Sequence, residues 1–360
     1  MISTCVLKFD IGIQSLRKYI SFLEQLENLS YISPNNLNSP ASTFLLQFQV
    51  SASTHRGDIR KFEYNSIIVS LYGLLENFIE DLTEEYALRL AQITPNYDDL
   101  PTALKEAHIS LTAEHIKRTA KDGQFRNTNS RQLVANLNSC LDLNQVDYHI
   151  NSPVFRYHTA NFRHNNIFDF LSCAGIPYSH SALRNNVKFK NYIQNINQGR
   201  EYSSIPEDSL FHILDDLAER RNHVAHGVES DLLSRNILRD DYLEYVDMFC
   251  KTLFDVTLQE SLHHEIKNLG IDLGKPLHIY RENIACFILQ YGSFSVNDHI
   301  TSYNADTKCI QHGEIISIHH FFKEKKTISA PYRSSTLICV KISFKPSANA
   351  IFSILHNEFQ

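Results

Sequence analysis

The hydrophobic pattern of the chain changes its period near residue 270. Before this point, apolar residues recur every three or four positions, which is the spacing of one face of an α-helix. The longest such stretch covers residues 64–90, and one apolar stripe runs along it: Ile67, Leu71, Leu74, Leu75, Phe78 and Leu82. After Gly270, residues 284–300 and 335–344 are rich in β-branched and aromatic residues. This change predicts an α+β chain, in which an all-α helical bundle precedes a small all-β domain.

The predicted helices and loops divide the chain into three parts. Helical spacing also covers residues 11–30, 102–119, 129–143, 159–174, 208–226 and 236–268. Residues 33–43 (SPNNLNSPAST) have the proline, asparagine and serine content that is typical of a loop. We therefore predict an N-terminal helix and loop extension over residues 1–60, a helical domain over 61–270 and a β-domain over 271–360.

Charge and cysteine usage exclude several classes of protein. The net charge of −6 provides no overall basic field for nucleic acid, although residues 271–360 contain nine basic and seven acidic residues. The seven cysteines form no C-x-x-C pair, and this usage fits a reducing compartment better than a disulfide framework. The N-terminus does not resemble a signal peptide, and no stretch has the length of a membrane span. We therefore expect a cytoplasmic protein with no membrane contact.

Common cofactor and metal signatures do not occur in the sequence. Neither G-x-x-x-x-G-K-[ST] nor G-x-G-x-x-G is present. The adjacent histidines at 263–264 and 319–320 point apart on a helix or a strand, and no cysteine or acid completes either pair at ligand spacing. We therefore expect no metal and no cofactor.

A basic residue interrupts the apolar stripe of the helix predicted over residues 208–226. The stripe passes through three leucines and then reaches an arginine: Leu210, Leu214, Leu217, Arg221 and Val224. Burial of a guanidinium is costly without an anionic partner, so a break of this kind marks a functional site or an ion pair. Asn222 and His226 lie one turn apart on the same helix end.

Two interpretations of this helix end follow from the residues. In the first, Arg220 and Arg221 pair with the acidic residues of the preceding turns and form a solvated helix end: Asp215, Asp216 and Glu219. In the second, a cation, an amide and an imidazole form an RNA-cleaving site. Histidine is the natural proton carrier at neutral pH, and arginine can hold phosphate oxygens in two hydrogen bonds. An RNA 2′-hydroxyl attacks its own 3′-phosphate with these two groups and needs no metal.

The sequence RNHVAH resembles the R-x4-H signature of the HEPN superfamily, the "higher eukaryotes and prokaryotes nucleotide-binding" domain. The stretches YNSIIVSLYGLLENFIEDLTEEY and HTANFRHNNIFDFLSCAGI are similar to segments of a prokaryotic branch of defence and toxin proteins. The resemblance covers roughly residues 60–260 and implies a HEPN-like helical bundle. It also implies that Arg221 and His226 are the catalytic pair, that Asn222 is the polar residue beside the arginine, and that two copies form a homodimer through the helical domain.

The resemblance further implies a function. The leading hypothesis is a metal-independent endoribonuclease that leaves 2′,3′-cyclic phosphate and 5′-hydroxyl ends, acting as a toxin or an antiviral (anti-phage) defence effector on tRNA or another RNA. A regulatory partner protein fits such a role. HEPN toxins that are controlled by adenylylation have a tyrosine two residues after the histidine, where this chain has Val228. The alternative is a non-catalytic HEPN module that binds RNA, nucleotides or protein.

Other polar residues are candidates for supporting roles. Glu76 either orients Arg221 or His226 or lies on the surface, and His223 and Arg220 flank the signature. Arg163 and His164 lie among asparagines, where they either contact RNA phosphate or form a solvated helix start.

The C-terminal residues resemble a different family. Residues 284–322 are similar to the small β-barrel of domain 2 of translation elongation factors, with Gly292 and the run VNDHI at the matching positions. Asn297 stands where that family has a glycine, and asparagine tolerates the left-handed conformation of such a turn. The resemblance implies a barrel that binds RNA or a partner protein. Three lysines are candidate phosphate contacts or a solvated hairpin: Lys323, Lys325 and Lys326.

Overall fold

The helices of the chain precede its strands, as the hydrophobic pattern predicts. The computed structural model describes residues 4–32, 40–119, 129–142, 147–176, 179–228, 231–304, 309–331 and 335–356. The last helix ends at Leu269 and the first strand begins at Ile271. The α+β fold class is therefore confirmed. Within these residues, no helix has both the length and the apolar character that crossing a membrane requires.

The helical part is built from long helices joined by short ones. In chain order they are α1 (Thr4–Leu29), α2 (Pro40–Thr54), α3 (Arg56–Ile93), α4 (Thr102–Thr119), α5 (Ser130–Leu141), α6 (His164–Cys173), α7 (Ser179–Asn185), α8 (Val187–Ile196), α9 (Glu207–His226), α10 (Arg235–Ile237) and α11 (Glu244–Leu269). A π-helical segment, Leu238–Leu243, joins α10 to α11 without a break. Short 3₁₀ helices occupy Tyr97–Asp99, Ser152–Arg156 and Tyr202–Ser204.

Helix α3 lies at the centre of the bundle. It packs against α1, α9 and α11, and the predicted stripe residues Ile67, Leu71, Leu75, Phe78 and Leu82 are buried. Burial of each such side chain contributes about 1.5–3 kcal/mol. Because α3 contacts three long helices, the residues along it are fixed relative to the whole helical core.

Part of the predicted N-terminal extension packs with the helical bundle. The boundary at residue 60 falls inside α3, and α1 shares the core of the bundle through Phe9, Ile13 and Ile20. Of the predicted loop, residues 40–43 belong to α2, while residues 33–39 lie outside the described residues. No residue of α2 is buried, so this helix has no core-facing stripe for a hydrophobic pattern to detect. Helices α7 and α8 were also not among the predicted helices.

A buried ion pair joins α3 to α11. Arg89 donates two hydrogen bonds to Glu265, from Nε to Oε1 and from Nη2 to Oε2, each at 3.0 Å. Ser261 donates a further hydrogen bond to Oε1 at 3.1 Å. Two parallel hydrogen bonds between planar groups fix both position and orientation, so the pair sets the register between these helices.

The C-terminal strands form a curled antiparallel sheet. They are β1 (Ile271–Gly274), β2 (His278–Tyr280), β3 (Ile284–Leu289), β4 (Gly292–Ser295), β5 (His299–Asn304), β6 (Cys309–His320), β7 (Lys323–Lys325), β8 (Thr327–Ala330), β9 (Thr336–Ile342) and β10 (Ile351–Leu355). The main sheet has the order β1-β10-β5-β6-β9-β3-β2, with β7 paired to β6, and β4 pairs with β8. The sheet curls into a half-barrel around its own core, which includes Phe287, Ile315, Val340 and Phe352.

Two turns of the β-domain are informative. Asn297 has φ of 74° in the turn before β5, which agrees with the left-handed conformation expected at this position. The Asp298 side chain accepts a hydrogen bond from the Ser295 amide at 2.8 Å and closes the turn. The turn between β6 and β7 consists of Phe321 and Phe322, which also have positive φ angles.

Two of the cysteines are paired, which the cysteine spacing did not indicate. Cys286 and Cys339 form a disulfide across β3 and β9, with their Cα atoms 4.0 Å apart. They are 53 residues apart in sequence, but the strand register places them directly opposite each other. Cysteine spacing alone could not show this, because the pairing depends on which strands become neighbours.

The β-domain is attached directly to helix α11. Gly270 alone separates the helix from β1. The side-chain amide of Gln259 donates a hydrogen bond to the Ile310 carbonyl at 2.8 Å and accepts one from the Ile310 backbone amide at 2.6 Å. It therefore pairs with β6 as the backbone of a neighbouring strand would. The rings of His263 and Tyr303 are in contact, with centroids 5.3 Å apart.

Candidate RNA-cleaving site

The R-x4-H sequence forms the last turns of helix α9. Leu210, Leu214 and Leu217 are buried, and the stripe leaves the core at Arg221, which is half-buried. The helix ends at Gly227, whose φ is 66°. The Val228 amide returns to the His223 carbonyl and the Gly227 amide to the Val224 carbonyl, which is the Schellman arrangement. The last carbonyls are therefore satisfied, and His226 is fixed at the helix end.

The guanidinium of Arg221 lies over an aromatic ring of helix α3. Its central carbon is 5.2 Å from the centroid of the Tyr72 ring. Tyr72 is buried, and its hydroxyl accepts a hydrogen bond from the Phe162 amide at 2.8 Å, which fixes the ring. Stacking on an aromatic face orients a guanidinium without neutralising its charge.

The acidic residues of α9 are occupied by other partners. Asp215 accepts from His164 and Asp216 from Arg220, while Glu219 is 3.3 Å from Arg163. No carboxylate of the described residues lies within ion-pair distance of Arg221. The solvated-pair interpretation therefore holds for Arg220 but not for Arg221, whose charge remains available to an anion.

Asn222 and His226 lie beside this guanidinium. The Asn222 side-chain oxygen accepts from Asn161 Nδ2 at 2.9 Å and is 3.4 Å from Arg221 Nη1. His226, one turn further, is exposed and makes no hydrogen bond or ion pair with another residue that the structure describes. The helix end therefore presents an oriented cation, a fixed amide and an accessible imidazole.

A second histidine lies on the α3 side of this site. His158 is stacked on Phe162 at 4.1 Å, and it donates to Glu80 Oε1 at 3.0 Å and to the Ala160 carbonyl at 2.9 Å. Burial would lower the pKa of His158, but the Glu80 and Ala160 acceptors and the charge of Glu76 outweigh it, so the pKa is raised. Because both ring nitrogens face acceptors, these contacts favour the doubly protonated form of His158.

Glu76, on helix α3, lies beside His158. Its Oε1 is 3.7 Å from His158 Nε2, and its side chain is partly buried. Burial raises the pKa of Glu76, and the positive charges of His158 and Arg221 act in the opposite direction. Glu76 is therefore partly buried beside His158, and its role in orienting Arg221 or His226 stays a prediction.

The flanking residues Arg220 and His223 have structural contacts. Arg220 donates to Asp216, to the Tyr64 hydroxyl at 3.0 Å and to the Asp231 carbonyl at 3.0 Å, and so ties α9 to α3 and to the following loop. His223 is 3.9 Å from Glu219 along its own helix. Neither residue joins the Arg221 cluster.

Arg163 and His164 are neighbours in sequence but differ in their surroundings. His164 is buried, with Nδ1 2.6 Å from Asp215 and its ring stacked on Phe211 at 5.4 Å. We therefore do not include His164 in an RNA surface. Arg163 remains exposed beside Glu219.

The three lysines predicted as phosphate contacts are exposed on the β6–β7 hairpin. Lys323 and Lys325 belong to β7, and Lys326 follows it. They lie on the β-domain, whereas Arg221 lies on the helical bundle. The hairpin is therefore a separate feature from the α9 site.

The sequence did not predict the parts played by Tyr72, which lies under the arginine, by Asn161, which holds Asn222, or by His158, which lies beside Glu76. His158 and Asn161 lie in HTANFRHNN, a segment already identified by resemblance, but the basic pair Arg163 and His164 attracted attention instead. A lone histidine or asparagine in a loop carries no signal of its contacts. Their roles depend on the loop before α6 crossing the middle of α3 and the end of α9, which only the fold reveals.

The helical bundle belongs to a known class of domain. A family model described as RiboL-PSP-HEPN matches residues 41–259, which is more than half of the chain. The protein therefore belongs to this HEPN family. No curated protein and no solved structure matches the chain. Helix α1 and the β-domain lie outside the matched residues, so the resemblance of the β-domain to a translation factor stays a prediction.

Proposed function

We propose that the chain is a HEPN endoribonuclease that cleaves RNA at the end of helix α9. The observation that carries the proposal is the half-buried Arg221, which stacks on Tyr72, has no ion-pair partner among the described residues and lies five residues before an exposed His226 on the same helix. Membership of the HEPN family supports an RNA-related role for the bundle.

The proposed chemistry uses side chains alone. A base removes the proton of a ribose 2′-hydroxyl, the oxygen forms a bond to the adjacent phosphorus, and the bond from phosphorus to the 5′-oxygen breaks as that oxygen takes up a proton. His226 serves as the proton carrier, a role that typically accelerates a reaction about 10²–10⁴-fold. Arg221 stabilises the pentavalent phosphorus, and Asn222 orients one of the two. The products are a 2′,3′-cyclic phosphate and a 5′-hydroxyl.

Glu76 and His158 complete the proposal as positioning residues. The carboxylate of Glu76 attracts the Arg221 guanidinium, and His158 holds Glu76 in place from the other side. The negative charge of Glu76 would repel an RNA phosphate. We therefore expect the phosphate to contact the side of Arg221 that faces away from Glu76.

The proposed enzyme acts as a homodimer. Helix α2 has no buried residue and exposes Phe44, Leu46 and Val50, and α3 exposes Phe62 and Val69. Apolar side chains in this number on neighbouring helices favour an interface with a second copy. The biological setting that we propose is a toxin or anti-phage effector acting on tRNA or another cellular RNA, with a regulatory partner and with target choice made by the β-domain.

Two substitutions test the ribonuclease. Arg221→Ala and His226→Ala should each reduce RNA cleavage by at least about 10²-fold while leaving the circular dichroism spectrum unchanged. His212→Ala is the matched control, because His212 is an exposed histidine of the same helix. Since the proposed steps use no metal, cleavage should survive EDTA. Full activity of either folded variant would end this proposal and favour a non-catalytic RNA-binding or protein-interaction module.

Sedimentation tests the homodimer. The protein should sediment as a dimer, and Phe44→Glu combined with Phe62→Glu should shift it to a monomer with reduced cleavage. An active monomer would show that the two sites do not need each other.

A further inference from the structure

The tip of the β6–β7 hairpin exposes two consecutive phenylalanines. His320 pairs with Lys323, so Phe321 and Phe322 form a two-residue loop. Their side chains are 71% and 103% exposed, which leaves both rings almost wholly in water. Exposed rings at the tip of a rigid hairpin are available to a partner that offers flat apolar surfaces.

The backbone of this loop is unfavourable for phenylalanine. Phe321 and Phe322 have φ angles of 45° and 64°, the left-handed values that a type I′ turn requires at both positions. Asparagine and glycine are the residues that favour such a turn, and a bulky side chain there is an outlier. Neither folding nor solubility accounts for this sequence, because Asn-Gly would serve both better. The two rings therefore point to binding.

The surroundings of the rings are basic. Lys323 and Lys325 project from the same face of β7, and Lys326 follows. Within the described part of the chain, none of these lysines is within ion-pair distance of a carboxylate. The His320 ring contacts the Phe321 ring at 4.3 Å, and His320 Nδ1 hydrogen-bonds to the Leu337 carbonyl at 2.8 Å, which anchors the tip to β9.

We propose that this hairpin binds single-stranded RNA, with unpaired bases stacked on Phe321 and Phe322 and phosphates held by the lysines. Aromatic rings beside a basic strand are the combination that single-strand binding uses, since every base has a flat face and every nucleotide a phosphate. A duplex keeps its bases stacked on each other and cannot offer them to the rings. The choice of RNA as the partner rests on the proposed ribonuclease function of the same chain.

RNA fits the hairpin better than a membrane or a protein groove. Only two apolar residues reach the tip, and charged side chains begin at the next position, so the hairpin has little depth to insert into lipid. Unpaired lysines around the rings match the regular negative charge of a nucleic acid backbone. Residues 1–270 have a net charge of −8, since they hold 25 basic and 33 acidic residues, so the helical domain supplies no general attraction for RNA.

The test replaces the loop by the residues that its backbone favours. Phe321→Asn combined with Phe322→Gly should weaken binding of a labelled, unstructured 2′-O-methyl oligonucleotide at least about tenfold, the effect of losing one good stacking contact. The melting temperature should stay the same or rise, because the left-handed strain is relieved. A 2′-O-methyl RNA cannot be cleaved by 2′-hydroxyl attack, so its binding is measured without cleavage of the probe.

Controls separate stacking from charge and fold. Phe22→Ala removes an exposed ring (53%) from helix α1 of the helical domain and should leave affinity unchanged. Replacing the three lysines by glutamine should reduce the slope of log affinity against log salt by about 0.7 for each lysine that contacts a phosphate. A duplex of the same sequence should bind the wild type and the loop variant equally.

The outcomes distinguish this inference from the proposed function. Unchanged oligonucleotide affinity in the folded loop variant would overturn the hairpin as an RNA site. Loss of binding to phosphatidylserine vesicles, with RNA affinity unchanged, would reassign it to membranes. Loop-dependent RNA binding in a protein that cleaves no RNA would support the hairpin and refute only the nuclease.

Discussion

The buried pair of Arg89 and Glu265 gives a sharp test of how the bundle is held together. Glu265 is 2% exposed and Arg89 is 9% exposed, and the two share a pair of 3.0 Å hydrogen bonds. Each charge-assisted hydrogen bond contributes about 1.5–3 kcal/mol. Glu265→Ala removes both and leaves the buried guanidinium without the carboxylate that balances its charge. We therefore expect the free energy of unfolding to fall by about 3–5 kcal/mol.

Urea unfolding followed by far-UV circular dichroism measures this loss. Arg89→Met with Glu265→Leu removes both charges and keeps most of the volume, so the double variant should recover most of the stability. Asp255→Asn is the exposed control, because Lys188 and Asp255 pair with side chains that are 76% and 36% exposed; it should cost less than about 1 kcal/mol. A loss under about 1 kcal/mol for Glu265→Ala would refute the reasoning, since it would mean that water reaches the pair.

Three further predictions follow from particular contacts. Burial lowers the pKa of His108 from 6.5 to about 4, so the folded state takes up this proton later than the unfolded chain as the pH falls. The free energy of unfolding should therefore decrease between about pH 6.5 and pH 4, by up to roughly 3 kcal/mol more than in His108→Gln, as denaturation at several pH values will show. Asn161→Ala removes the hydrogen bond to Asn222 and should slow RNA cleavage about tenfold, with no further loss when Asn222→Ala is added. Reduction of the Cys286–Cys339 disulfide opens a loop of 53 residues and should lower the melting temperature, with a stability loss of up to about 4 kcal/mol. An unchanged melting curve in dithiothreitol would show that strand pairing alone fixes this sheet.

The local hydrophobic pattern was sufficient to predict the long helices α3 and α9 but not helix α2 or the disulfide of the β-domain. The stripe of α3 and the Gly227 end of α9 are visible in the sequence, because burial and helix termination depend on nearby residues. Helix α2 escaped prediction since none of its residues is buried. The Cys286–Cys339 bond depends on strand register, which is a property of the sheet and not of either strand.

The residues of the candidate site also differ in how far the sequence predicted them. A polar residue on an apolar stripe identified Arg221, and its family signature added Asn222 and His226. Tyr72 and His158 could not be found because each is an ordinary residue of its own segment. Their importance comes from a three-way crossing between α3, α9 and the loop before α6, and no short-range pattern encodes that crossing.

The direct attachment of the β-domain to α11 has a geometric consequence. With a flexible linker between the domains, an RNA strand bound at the hairpin could reach the helical domain with many different lengths of RNA between the two sites. Here a single glycine and the Gln259–Ile310 hydrogen bonds hold the two parts as one body, so the path from hairpin to α9 is fixed. If both proposals hold, the protein acts as a molecular ruler. Cuts would fall at a constant number of nucleotides from the bases that the hairpin holds, and strands shorter than that span would bind without being cut.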